Sequence, residues 1–221
     1  MKIACIVFPG TNCEHDIAYT YSSILGGDVK LVWHRDTDLG DPDLVVIPGG
    51  FSYGDYLRTG ALAKISPVME EIRTFADKGG PVIGICNGFQ ILCEVGLLPG
   101  VLLQNTTRKF ISRFVNIRVE NTETPFTSSY KLNEIITCPV SHFDGNYFAD
   151  EDTVKSIEDN SQVIFRYCEI CPNGSINSIA GISNEKGNIL GMMPHPERSI
   201  EDITCNNYIQ NSLKVFSSLS L

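Results

Sequence analysis

The chain has 221 residues, a hydrophobic fraction of 43% and a net charge of −9 at pH 7, a composition typical of ordinary globular proteins. This acidity argues against a nucleic-acid binder, because phosphate contacts need clustered Lys and Arg side chains. No run approaches the roughly 20 apolar residues of a membrane-spanning helix, and Pro9 ends the first apolar stretch before a signal peptide could form. We therefore expect a single cytoplasmic domain over residues 1–221.

Apolar segments in the first half of the chain alternate with helix patterns. Four of these segments predict buried strands: residues 3–8, 29–33, 44–47 and 82–85. Asn12 is the expected cap of a helix that runs to about Leu25. Ser66 and the following proline open a second helix, which ends at residues 78–80. A third helix follows the fourth strand, and this alternation predicts a doubly wound α/β fold with a mainly parallel sheet.

The second half of the chain contains short strand patterns with little helix between them. The predicted strands are residues 114–119, 163–167, 176–182 and 189–193. They either extend the sheet or add an antiparallel patch, so we expect the sheet to be mixed at its edge. A last helix is predicted to begin near Ile203 and to run to about Phe216.

The most informative motif is Gly-Ile-Cys-Asn-Gly at residues 84–88, between a buried strand and a helix. It is the nucleophile-elbow pattern with sulfur in place of oxygen. The turn places Cys86 at the carboxyl edge of the sheet and at a helix N-terminus, where the helix dipole favours a thiolate. A buried structural cysteine is the alternative interpretation, and Cys93 in the same helix illustrates it.

A thiolate nucleophile needs a proton partner, and the chain has four histidines. His195 lies between two prolines, and Glu197 can orient its imidazole and stabilise the charged form. A surface histidine in a proline turn is the alternative interpretation. His142 is a candidate for a loop near the site, whereas His15 and His34 are interpreted as surface or element-end residues.

Acyl transfer also needs donors for a developing oxyanion. The Gly49, Gly50 and Phe51 loop follows the third strand as Cys86 follows the fourth, so both loops should emerge at the same sheet edge. Backbone N–H groups of this loop and of Asn87 are therefore expected to converge on the oxyanion. A turn that merely requires glycine is the alternative, and the loop lacks the Gly-Lys-Ser/Thr ending of a phosphate loop.

The eight cysteines do not predict disulfides, because the chain is neither short nor visibly secreted. Cys168 and Cys171 have the spacing of a redox or zinc motif, but no second pair accompanies them in the sequence. We interpret them as reduced structural thiols near a strand end and predict no metal site.

Together these motifs resemble the class I (triad) glutamine amidotransferases. Residues 84–90 match that family's Gly-x-Cys-x-Gly-x-Gln segment, and residues 195–197 match its His-Pro-Glu. A narrower likeness is to the glutaminase subunits of phosphoribosylformylglycinamidine synthases, which act in purine biosynthesis. The segments that carry it are residues 48–58, 86–92, 165–168, 173–175 and 191–198.

The resemblance implies a flavodoxin-like fold and a thioester mechanism. Cys86 would attack the side-chain amide of glutamine, His195 would move the protons, Glu197 would orient His195, and Gln90 would help to hold substrate. Ammonia would pass to a large synthetase subunit, which amidates an ATP-activated ribotide, with a small subunit bridging the two. No cofactor is expected on this chain, since ATP and magnesium would belong to the synthetase.

One segment departs from the family pattern, and other functions stay open. The loop at residues 139–147 has Phe143 and Asp144 where the family usually has glycine and glutamate, so the family's substrate role is not carried over to these positions, whereas His142 is kept as a candidate. The alternatives are a glutaminase subunit of another synthetase, a cysteine peptidase or deglycase-like hydrolase, and a non-catalytic flavodoxin-like module. Only an amidotransferase accounts for Gln90 together with the His-Pro-Glu loop, and ammonia release from glutamine discriminates among these functions.

Overall fold

A computed structural model describes residues 1–168, 170–201 and 211–220. The strands are β1 (Lys2–Val7), β2 (Asp28–Trp33), β3 (Leu44–Ile47), β4 (Val82–Ile85), β5 (Val101–Leu103), β6 (Ile111–Val119), β7 (Ile135–His142), β8 (Asn146–Phe148), β9 (Val163–Tyr167), β10 (Ile179–Ser183) and β11 (Ile189–Met192). The α-helices are α1 (Glu14–Tyr19), α2 (Val68–Asp77), α3 (Asn87–Glu94), α4 (Glu151–Asp159) and α5 (Lys214–Ser217). None of the helices within these ranges has both the length and the apolar character needed to cross a membrane.

Within the described residues, nine strands form one sheet in the order β2-β1-β3-β4-β11-β10-β9-β6-β7, and β5 pairs separately with β8. The five strands from β2 to β11 are parallel to one another. The pairings from β11 to β7 are antiparallel, so β10 and β6 run against the other strands of the sheet. The predicted doubly wound α/β fold with a mainly parallel, mixed-edge sheet is confirmed.

The core lies on both faces of the central parallel strands. Every residue of β3 and β4 is buried, as expected for apolar strands covered by helices on both faces. Helix α2 buries Val68, Ile72 and Ala76, which recur at intervals of four and therefore share one face. Full burial of a side chain such as Ile72 stabilises the fold by roughly 1.5–3 kcal/mol.

Two predicted helix caps are wrong. Helix α1 begins after Cys13 rather than Asn12, and it continues as a π-helix over Thr20–Ile24. The side-chain oxygen of Asn12 accepts a hydrogen bond from the Cys13 thiol at 3.1 Å instead of capping the helix. Helix α2 has Pro67 as its N-cap and no side-chain cap, because the hydroxyl of Ser66 is hydrogen-bonded elsewhere.

The second half contains more regular structure than the sequence pattern indicated. Strands β5, β7 and β8 and helix α4 were not predicted, and Ile176–Ser178 forms a 3-10 turn before β10. Helix α4 has a recognisable cap, since the Asp150 carboxylate accepts the N–H of Thr153 at 2.7 Å. The predicted last helix lies outside the described residues over 203–210. The described remainder is α5, with a 3-10 turn on each side, Asn211–Leu213 and Ser218–Ser220.

Candidate active site

Cys86 lies in a strained turn between β4 and α3. Its φ of 51° and ψ of −105° are unusual for a residue with a side chain, and such strain is typical of functional sites. The flanking glycines allow the close packing that this turn requires. A Cβ on Gly88 would overlap the carbonyl oxygen of Ile47, and one on Gly84 would lie 2.7 Å from the Gly88 carbonyl carbon. The predicted elbow is thus present, with α3 packed directly onto the sheet.

The Cys86 thiol is held between two further strands. Its backbone N–H donates to the carbonyl oxygen of Met192 at 2.8 Å, and its Sγ lies 3.7 Å from the carbonyl oxygen of Ser141. The residue is 6% exposed, so the sulfur borders a small cavity rather than open solvent.

His195 and Glu197 form a buried pair beside this elbow. Strand β11 is parallel to β4, so the loop that follows it emerges at the same sheet edge as Cys86. Within the loop, the backbone N–H of His195 donates to the carbonyl oxygen of Pro139 at 2.8 Å. The Nδ1–H of His195 donates to Oε1 of Glu197 at 2.6 Å, and the two side chains are 2% and 0% exposed.

Electrostatics favour the charged form of His195. Burial alone would lower the pKa of its imidazole, but the Glu197 carboxylate and the nearby thiols of Cys86 and Cys13 raise that pKa well above its usual value. Glu197 therefore both orients the ring and stabilises an imidazolium, which in turn can stabilise a thiolate.

Gly49 and Cys13 complete the wall around the imidazole. A Cβ on Gly49 would lie 2.8 Å from His195 Cε1 and 3.0 Å from Cys13 Sγ. The Cys13 thiol accepts a hydrogen bond from Nη2 of Arg198 at 2.9 Å, and burial is the main cause of its raised pKa. Cys13 and Arg198 were not identified from the sequence, since nothing in their spacing indicates that they meet.

The backbone N–H groups expected to bind the oxyanion differ in whether they already donate to another acceptor. The N–H of Phe51 donates to the carbonyl oxygen of Gly10 at 2.9 Å. Gly49 accepts the N–H groups of Asn12 and Cys13 at its carbonyl oxygen. Asn87 occupies the first position of α3, where an N–H has no acceptor within the helix.

A chain of side-chain amides joins the three loops of the site. Asn87 accepts the N–H of Ser52 at 3.1 Å and donates to Oε1 of Gln90 at 2.9 Å. Gln90 in turn donates from Nε2 to the carbonyl oxygen of Asp144 at 2.6 Å. These amides position the loops that follow β3 and β7, and Gln90 also lines the cavity beside Cys86.

His142 lies at the end of β7 and lines the same cavity. Its Nδ1 is 3.1 Å from Oδ1 of Asn105. Burial, followed by the charge of His195, lowers the pKa of His142 to about 4, so the ring is neutral near pH 7. The prediction of a site-proximal loop at His142 agrees with this position.

The remaining histidines and cysteines lie elsewhere. His15 is exposed, and His34 directly follows β2, so it is an element-end residue as one of the two predicted alternatives has it, although at 5% exposure it does not lie on the surface. Its ring packs against Phe8, Trp33 and Tyr53, and its Nδ1 lies 2.8 Å from the hydroxyl of Tyr53. Cys93 is buried in the core, as predicted. Cys171 is a free thiol that donates to the side chain of Asn173.

Within the described ranges, one group of side chains brings several potential metal ligands close together. Cys13, His195 and Glu197 have ligand atoms within 4.8 Å of one another, whereas Cys168 and Cys171 belong to no such group.

Sequence comparison identifies the family. Residues 1–219 match the CobB/CobQ-like glutamine amidotransferase domain. The chain belongs to this glutamine amidotransferase family. The phosphoribosylformylglycinamidine synthase subunit PurQ of Trichormus variabilis is 51% identical over 219 residues, which span 99% of this chain and 96% of that protein. The corresponding subunit of a Nostoc species is equally similar, with the same coverage.

Structure comparison agrees with this membership. A chain in the PurLQS structure from Thermotoga maritima superposes with a TM-score of 0.89 at 42% identity, covering 99% of this chain and 97% of that one. A further glutamine amidotransferase from Thermotoga maritima has a TM-score of 0.62 at 14% identity, covering 100% and 96%. The latter likeness concerns the fold alone. The resemblance to glutamine amidotransferases inferred from the motifs is confirmed.

Proposed function

We propose that this glutamine amidotransferase is the glutaminase subunit of a phosphoribosylformylglycinamidine synthase. One observation carries the proposal: a strained, buried cysteine lies at a strand-to-helix elbow beside the buried His195–Glu197 pair. The identity to PurQ subunits supports glutamine as the substrate and the synthase as the complex. The reaction converts L-glutamine and water into L-glutamate and ammonia.

In the first half-reaction, Cys86 Sγ attacks the side-chain amide carbon of glutamine. Its electron pair forms the C–S bond, and the carbonyl π electrons move to oxygen, giving a tetrahedral oxyanion. His195 then gives its proton to the amide nitrogen as the C–N bond breaks, and ammonia leaves behind a glutamyl thioester. The charge of Glu197 keeps that proton on His195 until the transfer.

In the second half-reaction, the now neutral His195 accepts a proton from water. The hydroxyl adds to the thioester carbon, and collapse of the second tetrahedral oxyanion breaks the C–S bond to release glutamate and the Cys86 thiolate. Proton transfer of this kind contributes about 10²–10⁴-fold to rate. The close hydrogen bond between Nδ1 and Glu197 holds the opposite ring nitrogen, Nε2, in one orientation for both steps.

We assign the oxyanion chiefly to the N–H groups of Gly50 and Asn87. Gly50 lies in the loop after β3 and Asn87 is the first residue of α3, at the sheet edge that carries Cys86, and the N–H of Asn87 has no acceptor within α3. The N–H of Phe51 can join them only after its bond to Gly10 breaks. Each donor of this kind typically contributes about 10²–10³-fold to rate.

We further propose that the ammonia passes to a large synthetase subunit, with a small subunit bridging the two. ATP and magnesium would bind to the synthetase, so this chain would need no cofactor of its own. Residues 1–221 would act as one glutaminase domain in the cytoplasm.

Ammonia release by the purified chain tests this function, with and without the large and small subunits. Cys86→Ala should abolish release from glutamine, whereas Cys168→Ser, which alters a thiol at the end of β9, should retain it. In the assembled complex, Cys86→Ala should abolish glutamine-dependent amidation but leave ammonia-dependent amidation intact. Full glutamine-dependent activity in Cys86→Ala would overturn the mechanism, and activity indifferent to the synthetase would point to another partner.

A further inference from the structure

The cavity beside Cys86 is lined by hydrogen-bond acceptors that lack partners. Its wall includes the carboxyl groups of Asp55 and Asp144 and the imidazole of His142. Among the described residues that line it, none is a lysine or an arginine. A small polar cavity of this kind suits a ligand that carries positive charge and several N–H donors.

The two carboxyl groups lie close enough to repel each other electrostatically. Oδ1 of Asp55 and Oδ1 of Asp144 are both buried and have no hydrogen-bond partner in the described chain. Burial and then the charge of Asp144 raise the pKa of Asp55 to about 6, and burial raises the pKa of Asp144. Neighbouring carboxylates that are partly buried repel each other, and a cation placed between them relieves that repulsion.

His142 gives a second and independent indication of a ligand. The residue is 3% exposed, and its Nε2 has no partner in the described chain. Asn105 fixes the tautomer: its Nδ2 donates to the carbonyl oxygens of Lys109 and His142, so its Oδ1 must accept the proton on His142 Nδ1. The Nε2 of the neutral ring therefore carries a lone pair and can accept a hydrogen bond from a ligand.

A primary ammonium group fits these three acceptors, because it carries three N–H donors and one positive charge. We propose that Asp55, Asp144 and His142 Nε2 bind the α-ammonium group of L-glutamine while the side-chain amide lies against Cys86. This assignment rests on the proposed function. The cavity volume of about 30 Å³ suits a single ammonium-sized group. In extended glutamine the ammonium nitrogen and the amide carbon are roughly 5 Å apart, given bond lengths of about 1.5 Å, so the amide would lie outside this volume, against Cys86 in the cavity wall.

The surrounding hydrogen bonds keep the acidic pair in place. Asp55 ends the 3-10 turn Ser52–Asp55, whose first N–H donates to Asn87. The carbonyl oxygen of Asp144 accepts from Gln90 at 2.6 Å. The amide chain of Asn87 and Gln90 therefore ties the backbone beside both carboxyl groups to α3, the helix that begins after Cys86.

Two substrates that differ only in the ammonium group test the subsite. Hydrolysis of L-glutamine is compared with that of glutaramate, which has the same amide and the same chain but a hydrogen in place of the α-ammonium. Asp55→Asn and Asp144→Asn should each lower kcat/KM for L-glutamine roughly 10- to 100-fold, mainly through KM, as expected for a lost charged hydrogen bond. Hydrolysis of glutaramate should stay unchanged, and Asp77→Asn, at an exposed carboxyl group on α2, should alter neither substrate.

Equal losses for both substrates would indicate a structural role for the carboxyl groups and would overturn the proposal. Equilibrium binding to Cys86→Ser separates this question from catalysis. The subsite is supported if Cys86→Ser binds L-glutamine more tightly than glutaramate and if adding Asp55→Asn to Cys86→Ser removes this difference. This measurement works although Cys86→Ser hydrolyses neither compound. Equal binding of both compounds, or no binding of L-glutamine, contradicts it.

An ammonium ion formed from released ammonia could bind the same three acceptors as the α-ammonium group of glutamine. Competition by ammonium chloride distinguishes these two ligands. If the cavity holds the α-ammonium group, ammonium chloride should compete only weakly with L-glutamine. Ammonium chloride that binds as tightly as L-glutamine, with no selection against glutaramate, would assign the cavity to released ammonia instead.

Discussion

A Cβ atom on Gly49 would lie 2.8 Å from Cε1 of His195 and 3.5 Å from Cβ of Cys86. The main chain after β3 thus packs directly against the imidazole of His195 and the side chain of Cys86. A glycine predicted as part of an oxyanion loop therefore also has a packing role.

Gly49→Ala is expected to displace the His195 ring and to lower kcat for glutamine hydrolysis about 10²-fold, since small displacements of reacting groups have effects of this size. The matched control is Gly79→Ala. Gly79 has a φ of +91° and open space around it, so its replacement should lower the unfolding midpoint but leave kcat unchanged. Equal kcat in wild type and Gly49→Ala would contradict the packing role.

Glu197→Gln should shift the pH dependence of thiol reactivity. Glu197 raises the pKa of His195, so removal of its charge should lower that pKa and move the loss of the imidazolium to lower pH. Glutaminase kcat should fall by about 10²–10⁴-fold, the usual range for impaired proton transfer. The rate of alkylation by iodoacetamide, followed against pH, reports the shift; an unchanged profile would show that Glu197 does not act through His195.

His142 should make the protein less stable in mild acid. The unfolded chain takes up a proton at this residue below its usual pKa of 6.5, whereas the folded protein does so only near 4. The free energy of unfolding should therefore fall as pH decreases from 6.5 to 4, by up to about 3 kcal/mol from this group. His142→Asn keeps a donor toward Asn105 and should flatten that decrease, measured by urea unfolding at several pH values. His15→Asn, at an exposed histidine, is the control, and an identical slope in His142→Asn would exclude this origin.

The raised pKa of Asp55 predicts the opposite pH dependence of stability. Its carboxyl group has a usual pKa of 3.8 and a folded-state pKa of about 6. Between these values the folded protein binds more protons than the unfolded chain, so ionisation of this group destabilises the fold as pH rises. Asp55→Asn should raise the thermal unfolding midpoint at pH 8 and have little effect at pH 4. A lower midpoint at pH 8 would show that the ionised carboxylate stabilises the fold.

The parts of the site that sequence predicted are those that a short segment specifies. The elbow around Cys86 and the link from His195 to Glu197 each depend on residues within a few positions of one another. By contrast, the bond from Phe51 to Gly10 joins two loops, as does the contact of Arg198 with Cys13. No local pattern reports such partners, because they depend on which strands become neighbours.

The same distinction between local and long-range signals explains which strands and helices could be predicted from the sequence. Buried parallel strands such as β3 and β4 have continuous apolar runs, and their bounds were predicted correctly. Strand β7 alternates buried and more exposed residues, and its Pro139 weakened the strand pattern. Helix α4 is mostly polar, with Ile157 as its buried residue, so its apolar periodicity was faint although the cap at Asp150 was present.

Trapping the covalent intermediate tests the role of Cys86 as nucleophile most directly. The chain is mixed with L-glutamine, quenched in acid and digested, and the peptide that contains Cys86 is weighed by mass spectrometry. We expect a glutamyl thioester on Cys86 that is absent from Cys86→Ala and from reactions without glutamine. A glutamyl adduct on another cysteine, or steady release of ammonia with no adduct on Cys86 under any quench, would contradict it.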